Sequence, residues 1–579
     1  MLGLLVAPGP HAMADLGDVG VEGPSSAGTS TPTGNKRAES VLWFNDGIWW
    51  ANMWDATLKR FYIFRLDAAT QTWSNTGTLV ERRASTHADV LWDGTKLFVA
   101  THRLLNDELP AEPGFPSHLY RYSYDSTTET YTLDAGFPTV VNNYKTETLT
   151  IDKDSRGRLW ATWQQDNLIY LNSTGPDQTT WGTPFTLPGS NAVSVDDTSA
   201  VLAFGGDRIG VLYSSQRGPD GGVDDGMYWS VHRDEDPDTA WSTPVAALKG
   251  SRSADDHMNL KWLDASGGQV YAAIKTEYIS SAQDLIQLLV LDTAAGAWRP
   301  PYRIASVSEC PNRVIVLLDE AQRLIRTFAT YPAPGGTCTS SGGAIYEKTT
   351  SMDDIVFPSG QGTLRLFDAD SPYIHNVSST KQNLNTATGN GAQGLVLLAH
   401  NGRTARYWHH YEAPPVAVAP TASFTASPTS GRAPLSVAFT DTSTGSPTSW
   451  HWDFGNGATS TARHPATTYT AAGVYTVTLT ARNASGDSTA TNTITVAQAL
   501  KVTITDGPPE STSSSEATFR FSVNEPATTQ CRLDDNLFKA CTSPVTYSGI
   551  RKGRHTFEVR ATATNDGATA SATWSWKKR

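Results

Sequence analysis

From Glu39 to Glu412 apolar and polar positions alternate in short runs, broken every few residues by Asp, Asn or Gly. This is the pattern of strands joined by tight turns, not of helices. One unit recurs: a polar or charged lead-in, an alternating strand, a turn carrying Asp or Gly, then a second strand rich in Trp, Tyr, Val and Ala. It first reads ESVLWFNDGIWWANMW (39–54), then THADVLWDGTKLFVATH (86–102) and ETLTIDKDSRGRLWATW (147–163), with further copies at 196–215, 257–278, 310–331 and 382–401. Several copies run on into a third strand and a turn ending in Trp, as in DAATQTW (67–73) and DTAAGAW (292–298). Repeated hairpins with one or two added strands predict the blades of a β-propeller over 39–412. Seven copies predict seven blades, with six the alternative if the last folds into its neighbours. That last copy lacks a fourth strand before the linker, so the segment ahead of Trp43 is expected to supply it and close the ring.

The flanks read differently. MLGLLVAPGPHAMA is an apolar run ending in small residues at Ala12 and Ala14, which predicts a truncated signal peptide over 1–14. Residues 15–38 are rich in Gly, Ser, Thr and Pro, which predicts a flexible leader. The proline-rich stretch 413–419 is expected to be a semi-rigid linker. Beyond it, PTASFTASPTSGRAPLSVAFTDTST (420–444), WDFGNG (452–457) and Tyr469 with GVYTVTLTARNASG (473–486) resemble a PKD domain over 420–498. That resemblance implies an Ig-like β-sandwich with Trp452 and Phe454 in a strand and the Gly-Asn-Gly turn folding it back. Residues 500–579 look like a bacterial Ig-like repeat. The expected fold class is therefore all-β: a propeller followed by two Ig-like sandwiches.

Composition sharpens this picture. Eighteen Trp, 20 Tyr and 18 Phe suit half-buried pleated surfaces. The net charge of −12 argues against nucleic acid or an anionic membrane as partner, since both need a basic footprint. No later run approaches a membrane helix. Four Cys in an exported chain predict two disulfides, Cys310 with Cys338 and Cys531 with Cys541. A monomer, secreted or at a bacterial cell surface, is expected.

Chemistry is expected on the propeller, whose ring brings distant strand ends around one axis. The lead-ins of the innermost strands carry Arg82, Arg83, His87 and Asp89; Lys145 and Glu147; Asp196 and Asp197; Asp255, Asp256, His257, Asn259 and Lys261; Asn312 and Arg313; Lys381, Gln382 and Asn383. A glycoside hydrolase needs two carboxylates, one a proton donor and one a nucleophile or base. Glu147, Asp196, Asp197, Asp255 and Asp256 are the candidates, with His87 and His257 beside them. A uronate lyase needs a cation, a base and an acid, for which His87, His102, His257, Tyr278 and Arg83 are candidates. The stretch from His87 to His102, and DDHMNLKW (255–262), resemble the blade motif of BNR-type propellers, a group that includes sialidases and ulvan lyases. No SxDxGxTW box stands in the chain, which departs from the sialidase pattern. Arg83, His102, Trp163, Lys261, Tyr278, Arg313, Lys381 and Asn383 are expected to bind substrate. The adjacent His409 and His410 would point to opposite faces of a strand, so no shared ion is expected there. No cofactor and no metal set is expected. A secreted enzyme cleaving polysaccharide, hydrolase preferred to lyase, is the expected function, with a glycan-binding adhesin the alternative.

Overall fold

The hairpins are closed by their own side chains. In each of the turns at 55–58, 67–70 and 292–295 an Asp carboxylate accepts two backbone N–H groups: Asp55 from Thr57 and Leu58, Asp67 from Ala69 and Thr70, Asp292 from Ala294 and Ala295. A turn so satisfied needs no partner from elsewhere, so Asp recurs between the strands. The computed structural model describes residues 17–30, 32–34, 38–104, 111–190, 193–216, 225–263, 268–338, 342–386, 393–414, 418–445, 447–483 and 485–579. The chain divides into two compact units, 1–416 and 417–579. The segment expected to be a signal peptide, 1–14, lies outside the described residues.

In the first unit the described strands form seven consecutive antiparallel sheets of four or five strands. Their first strands are Leu42–Asn45, Thr86–Trp92, Thr150–Lys153, Ser199–Phe204, Met258–Leu263, Asn312–Asp319 and Ile374–Ser378. Each lies beside the first strand of the next sheet, and Leu42 N–H bonds Ser379 O to join the last sheet to the first. This is a β-propeller. Helix among the described residues is confined to a 3-10 turn, Val307–Glu309. Trp43, Trp50, Trp54, Trp160, Trp163 and Trp408 are all buried below 2% exposure between the sheets.

Two expectations are corrected here. The leader 15–38 contains a strand, Val21–Ser25, which pairs with Arg406–Glu412 as the outer edge of the seventh sheet, so the fourth strand does come from ahead of Trp43, as expected, but from within the supposed leader. Its polar composition suits an edge strand half-open to water, which conceals it as a leader. The last repeat begins at Ile374 and not at Gln382, and residues 379–384 run beneath the other sheets. Gln382 accepts from Phe44 N–H and donates to Phe44 O, Lys381 pairs with Asp89 at 2.6 Å and donates to Ile151 O, and Asn383 donates to Trp262 O and Glu320. Leu384 N–H bonds Leu318 O. One short segment thus fastens to five of the other six sheets.

The second unit repeats one topology twice. In 420–497 a three-stranded sheet, Phe424–Ser427, Leu435–Asp441 and Ala466–Tyr469, accompanies a five-stranded sheet built on Gly473–Asn483 and Gly486–Ala497. Trp452 and Phe454 fill the core between them. Gly455 adopts φ of +73°, and a Cβ there would stand 2.6 Å from Thr476 O, so the WDFGNG turn requires glycine at that position. Residues 502–578 form the same three-plus-five arrangement around Phe519, Phe557 and Trp576. Both expected disulfides are formed, Cys310–Cys338 and Cys531–Cys541. No helix among the described residues is long and apolar enough to cross a membrane.

Candidate functional site

The lead-ins of three consecutive first strands each place a carboxylate at one end of the propeller axis. Glu147 stands three residues ahead of Thr150, Asp196 three ahead of Ser199, and Asp256 two ahead of Met258. Carboxylate oxygens of these three residues lie within 4.8 Å of one another. Glu147 and Asp256 are buried and Asp196 is half-buried. Carboxylates this close repel one another, which favours a proton or a cation among them.

A second layer supports the third of them. His257 Nδ1 contacts Asp255 Oδ1 at 2.6 Å and also reaches Asp256 Oδ1. Lys275 pairs with the other oxygen of Asp255. Burial alone would raise the Asp255 carboxyl, but Lys275 and His257 outweigh it and hold it well below the usual carboxylate range. Asp255 is therefore a fixed anion that orients His257.

Other candidates have different places. Asp197 is fully buried, and its carboxylate accepts Ser194 N–H at 2.6 Å and Gln216 N–H at 3.0 Å; burial raises its pKa. These bonds fasten a loop, a structural part in place of the catalytic one expected of Asp197. Trp163 is 1% exposed and stacks on Tyr170, so it is core and not a sugar platform. Arg83 is tied to Glu81 at 2.7 Å, Pro116 O and His118, away from the carboxylate trio. Tyr278 is half-buried, with burial raising its pKa. Arg313 Nη1 contacts His375 Nδ1 at 3.1 Å on the next first strand.

Lys261, Lys381 and Asn383 belong to a separate polar plug. Together with Asp152, Asn259 and Trp262 they line a cavity of about 220 Å³. Lys261 is fully buried and donates to Thr380 O at 2.5 Å. Burial, then the neighbouring Lys381, push its ammonium down to about 7. Burial raises Asp89 to about 6 despite Lys381 beside it. Each of the three expected substrate-binding groups also has a partner within the fold: Lys261 the Thr380 carbonyl, Lys381 Asp89 and the Ile151 carbonyl, Asn383 the Trp262 carbonyl and Glu320.

His87 and His102, on adjacent strands of the second sheet, meet Glu39. Glu39 was not among the expected site residues. It stands three residues ahead of its strand, the same offset as Glu147 and Asp196, and that offset is the signal that identifies it.

With the fold and site described, the class is clear: an all-β propeller with a polar axis, followed by two sandwiches. Residues 412–497 match the PKD domain family, and that segment is a PKD domain. It is similar to the PKD1 domain of the Vibrio cholerae metalloprotease PrtV, with 42% identity over 14% of this chain and 98% of that one, at a TM-score of 0.12. The propeller resembles the Penicillium chrysogenum α-L-arabinanase solved with arabinobiose, with 12% identity over 59% of this chain and 99% of that one, at 0.35. It also resembles the fucose-specific lectin of Aleuria aurantia, with 13% identity over 57% and 95%, at 0.35. No curated protein matches the chain.

Proposed function

We propose that the propeller hydrolyses a neutral extracellular polysaccharide at the Glu147–Asp196–Asp256 cluster. The observation that carries this reading is the three carboxylates within 4.8 Å of one another, supplied by three neighbouring sheets at one end of the axis. A retaining glycosidase sets its two carboxyl groups roughly 5 Å apart, whereas an inverting one leaves about 6.5–9.5 Å for a water. The spacing supports retention.

In this scheme Glu147 and Asp196 share the proton, and half-exposed Asp196 delivers it to the leaving oxygen. Asp256, held by His257, stays ionised and attacks the anomeric carbon. Water then releases the sugar as Asp196 takes a proton back. The gathered negative charge repels a uronate, and Arg83, His87 and His102 are engaged elsewhere, which supports hydrolysis over elimination. The sandwich domains fit a role in keeping the enzyme near its polymer, an inference from architecture alone.

Full-length protein is incubated with a panel of neutral and uronate polysaccharides, reading reducing ends and absorbance near 235 nm. Reducing ends without absorbance from a neutral polymer are expected. Absorbance would mean a lyase, and binding on a glycan array without cleavage would mean an adhesin; either overturns the proposal.

A further inference from the structure

The cluster of Glu39, His87 and His102 has no part in the hydrolytic scheme, yet all three are buried and come from two sheets. His102 Nδ1 lies 2.9 Å from Thr146 O and 3.1 Å from Thr146 Oγ1, which hold the ring in place. Its other nitrogen, Nε2, lies 2.5 Å from Glu39 Oε1, which only accepts when ionised. A nitrogen this close to a carboxylate shares a proton with it or, after a small opening, a metal ion. On the other side of the carboxylate, His87 Nδ1 is 3.6 Å from Glu39 Oε2. Ligands about 2.1 Å from a tetrahedral ion are separated by roughly 3.4 Å, so that side already has the spacing. The His102 side must open by about 1 Å to replace its hydrogen bond with a coordinate bond.

The geometry points to a structural zinc-class ion held by Glu39, His87 Nδ1 and His102 Nε2. The donor set of two imidazoles and one carboxylate suits zinc better than calcium or magnesium, which take oxygen ligands. The surroundings are those of a built site: Thr146 O and Oγ1 orient the His102 ring through Nδ1, and Leu149 N–H donates to Glu39 Oε1 at 3.2 Å. Thr146 and Leu149 lead into the third sheet, so an ion here ties the lead-in of the first sheet to the second and third. The ligands are too deeply buried for the ion to meet a polymer, and it would be loaded as the ring closes.

The test is metal content of untagged full-length protein, purified from zinc-supplemented medium and dialysed without chelator. About one zinc per chain is expected, with a lower Tm after chelation that added zinc restores. Cobalt in its place is expected to give the visible absorption of a four-coordinate ion. His102→Gln and His87→Gln should each cut the bound zinc at least tenfold, while Asp255→Asn leaves it unchanged. Wild-type protein without zinc and with no Tm response to zinc would overturn the proposal, leaving a plain hydrogen bond between His102 and Glu39. So would zinc that persists in His102→Gln or disappears in Asp255→Asn.

Discussion

Replacing Lys381 by Met removes the ammonium from Asp89 at the bottom of the propeller axis. Asp89 is completely buried and also accepts N–H groups from Ser40 at 3.0 Å and Ile151 at 2.8 Å. Breaking a buried pair by deleting one partner costs about 3–5 kcal/mol if the remaining charge stays. Here protonation offers an escape, because burial has already raised the Asp89 carboxyl from 3.8 to about 6 with Lys381 present. A carboxyl whose folded pKa is raised favours the fold at low pH and loses that advantage as pH rises from the unfolded value through the folded one. In the wild type the loss ends near pH 6; in the variant Asp89 stays neutral past pH 7, so the loss continues at about 1.4 kcal/mol per pH unit. The gap between the two proteins should therefore be flat below about pH 5 and widen by roughly 1.4 kcal/mol between pH 6 and 7. To this is added a pH-independent 1–3 kcal/mol, on the order of one unsatisfied carbonyl, for Ile151 O. Burial and Lys381 hold Lys261 at about 7, so its own titration enters only at the top of this window. Urea unfolding of both proteins at pH 5, 6 and 7 measures the gap. Parallel pH curves, or a more stable variant, would refute the reasoning.

Three further outcomes follow from the packing. Trp452→Ala removes a side chain at 0% exposure whose indole N–H bonds Ala462 O at 2.9 Å, and should cost about 3–5 kcal/mol; calorimetry should show a transition of the second unit falling while the propeller transition stays. His409 is fully buried, and burial followed by His410 lowers its pKa from 6.5 to about 4. The unfolded chain then binds the proton first, so stability is lost as pH falls from 6.5 to about 4, by roughly 3 kcal/mol; His409→Leu should remove that part of the slope in chemical unfolding, leaving the part from His410, which burial also lowers to about 4. Replacing both Cys531 and Cys541 by Ser opens a loop spanning 10 residues and should cost roughly 2–3 kcal/mol, read as the midpoint of the same second-unit transition.

The repeated hairpin was legible because its turns are local: Asp and Gly close them by backbone geometry that a short window of sequence contains. The PKD segment was legible for the same reason, Gly455 and Trp452 being demanded within a few residues of each other. Partnerships across hundreds of residues were not. A closing strand ahead of Trp43 was expected from the strand count, but the composition of Val21–Ser25 reads as a leader until Arg406–Glu412 is beside it, and Lys381 reads as a substrate-binding cation until Asp89 is found 2.6 Å away. At the carboxylate cluster, residue types and strand position could be read, so Glu147, Asp196 and Asp256 were among the candidates. Their separation from Asp197 was not readable, because Asp196 and Asp197 stand in a turn ahead of the strand, closed by Asp197 N–H on Ser194 O, and only the fold says which side chain faces the axis.

The sharpest test of the central claim is the turnover of Glu147→Gln, Asp196→Asn and Asp256→Asn on a neutral polysaccharide, each compared with wild type and with the loop-fastening variant Asp197→Asn at matched folded fraction. The account predicts losses of roughly 10²-fold or more for the three cluster variants, the scale of a missing acid or base, and near wild-type turnover for folded Asp197→Asn. Cluster variants that retain wild-type turnover while Asp197→Asn loses it would contradict the account and move the chemistry elsewhere.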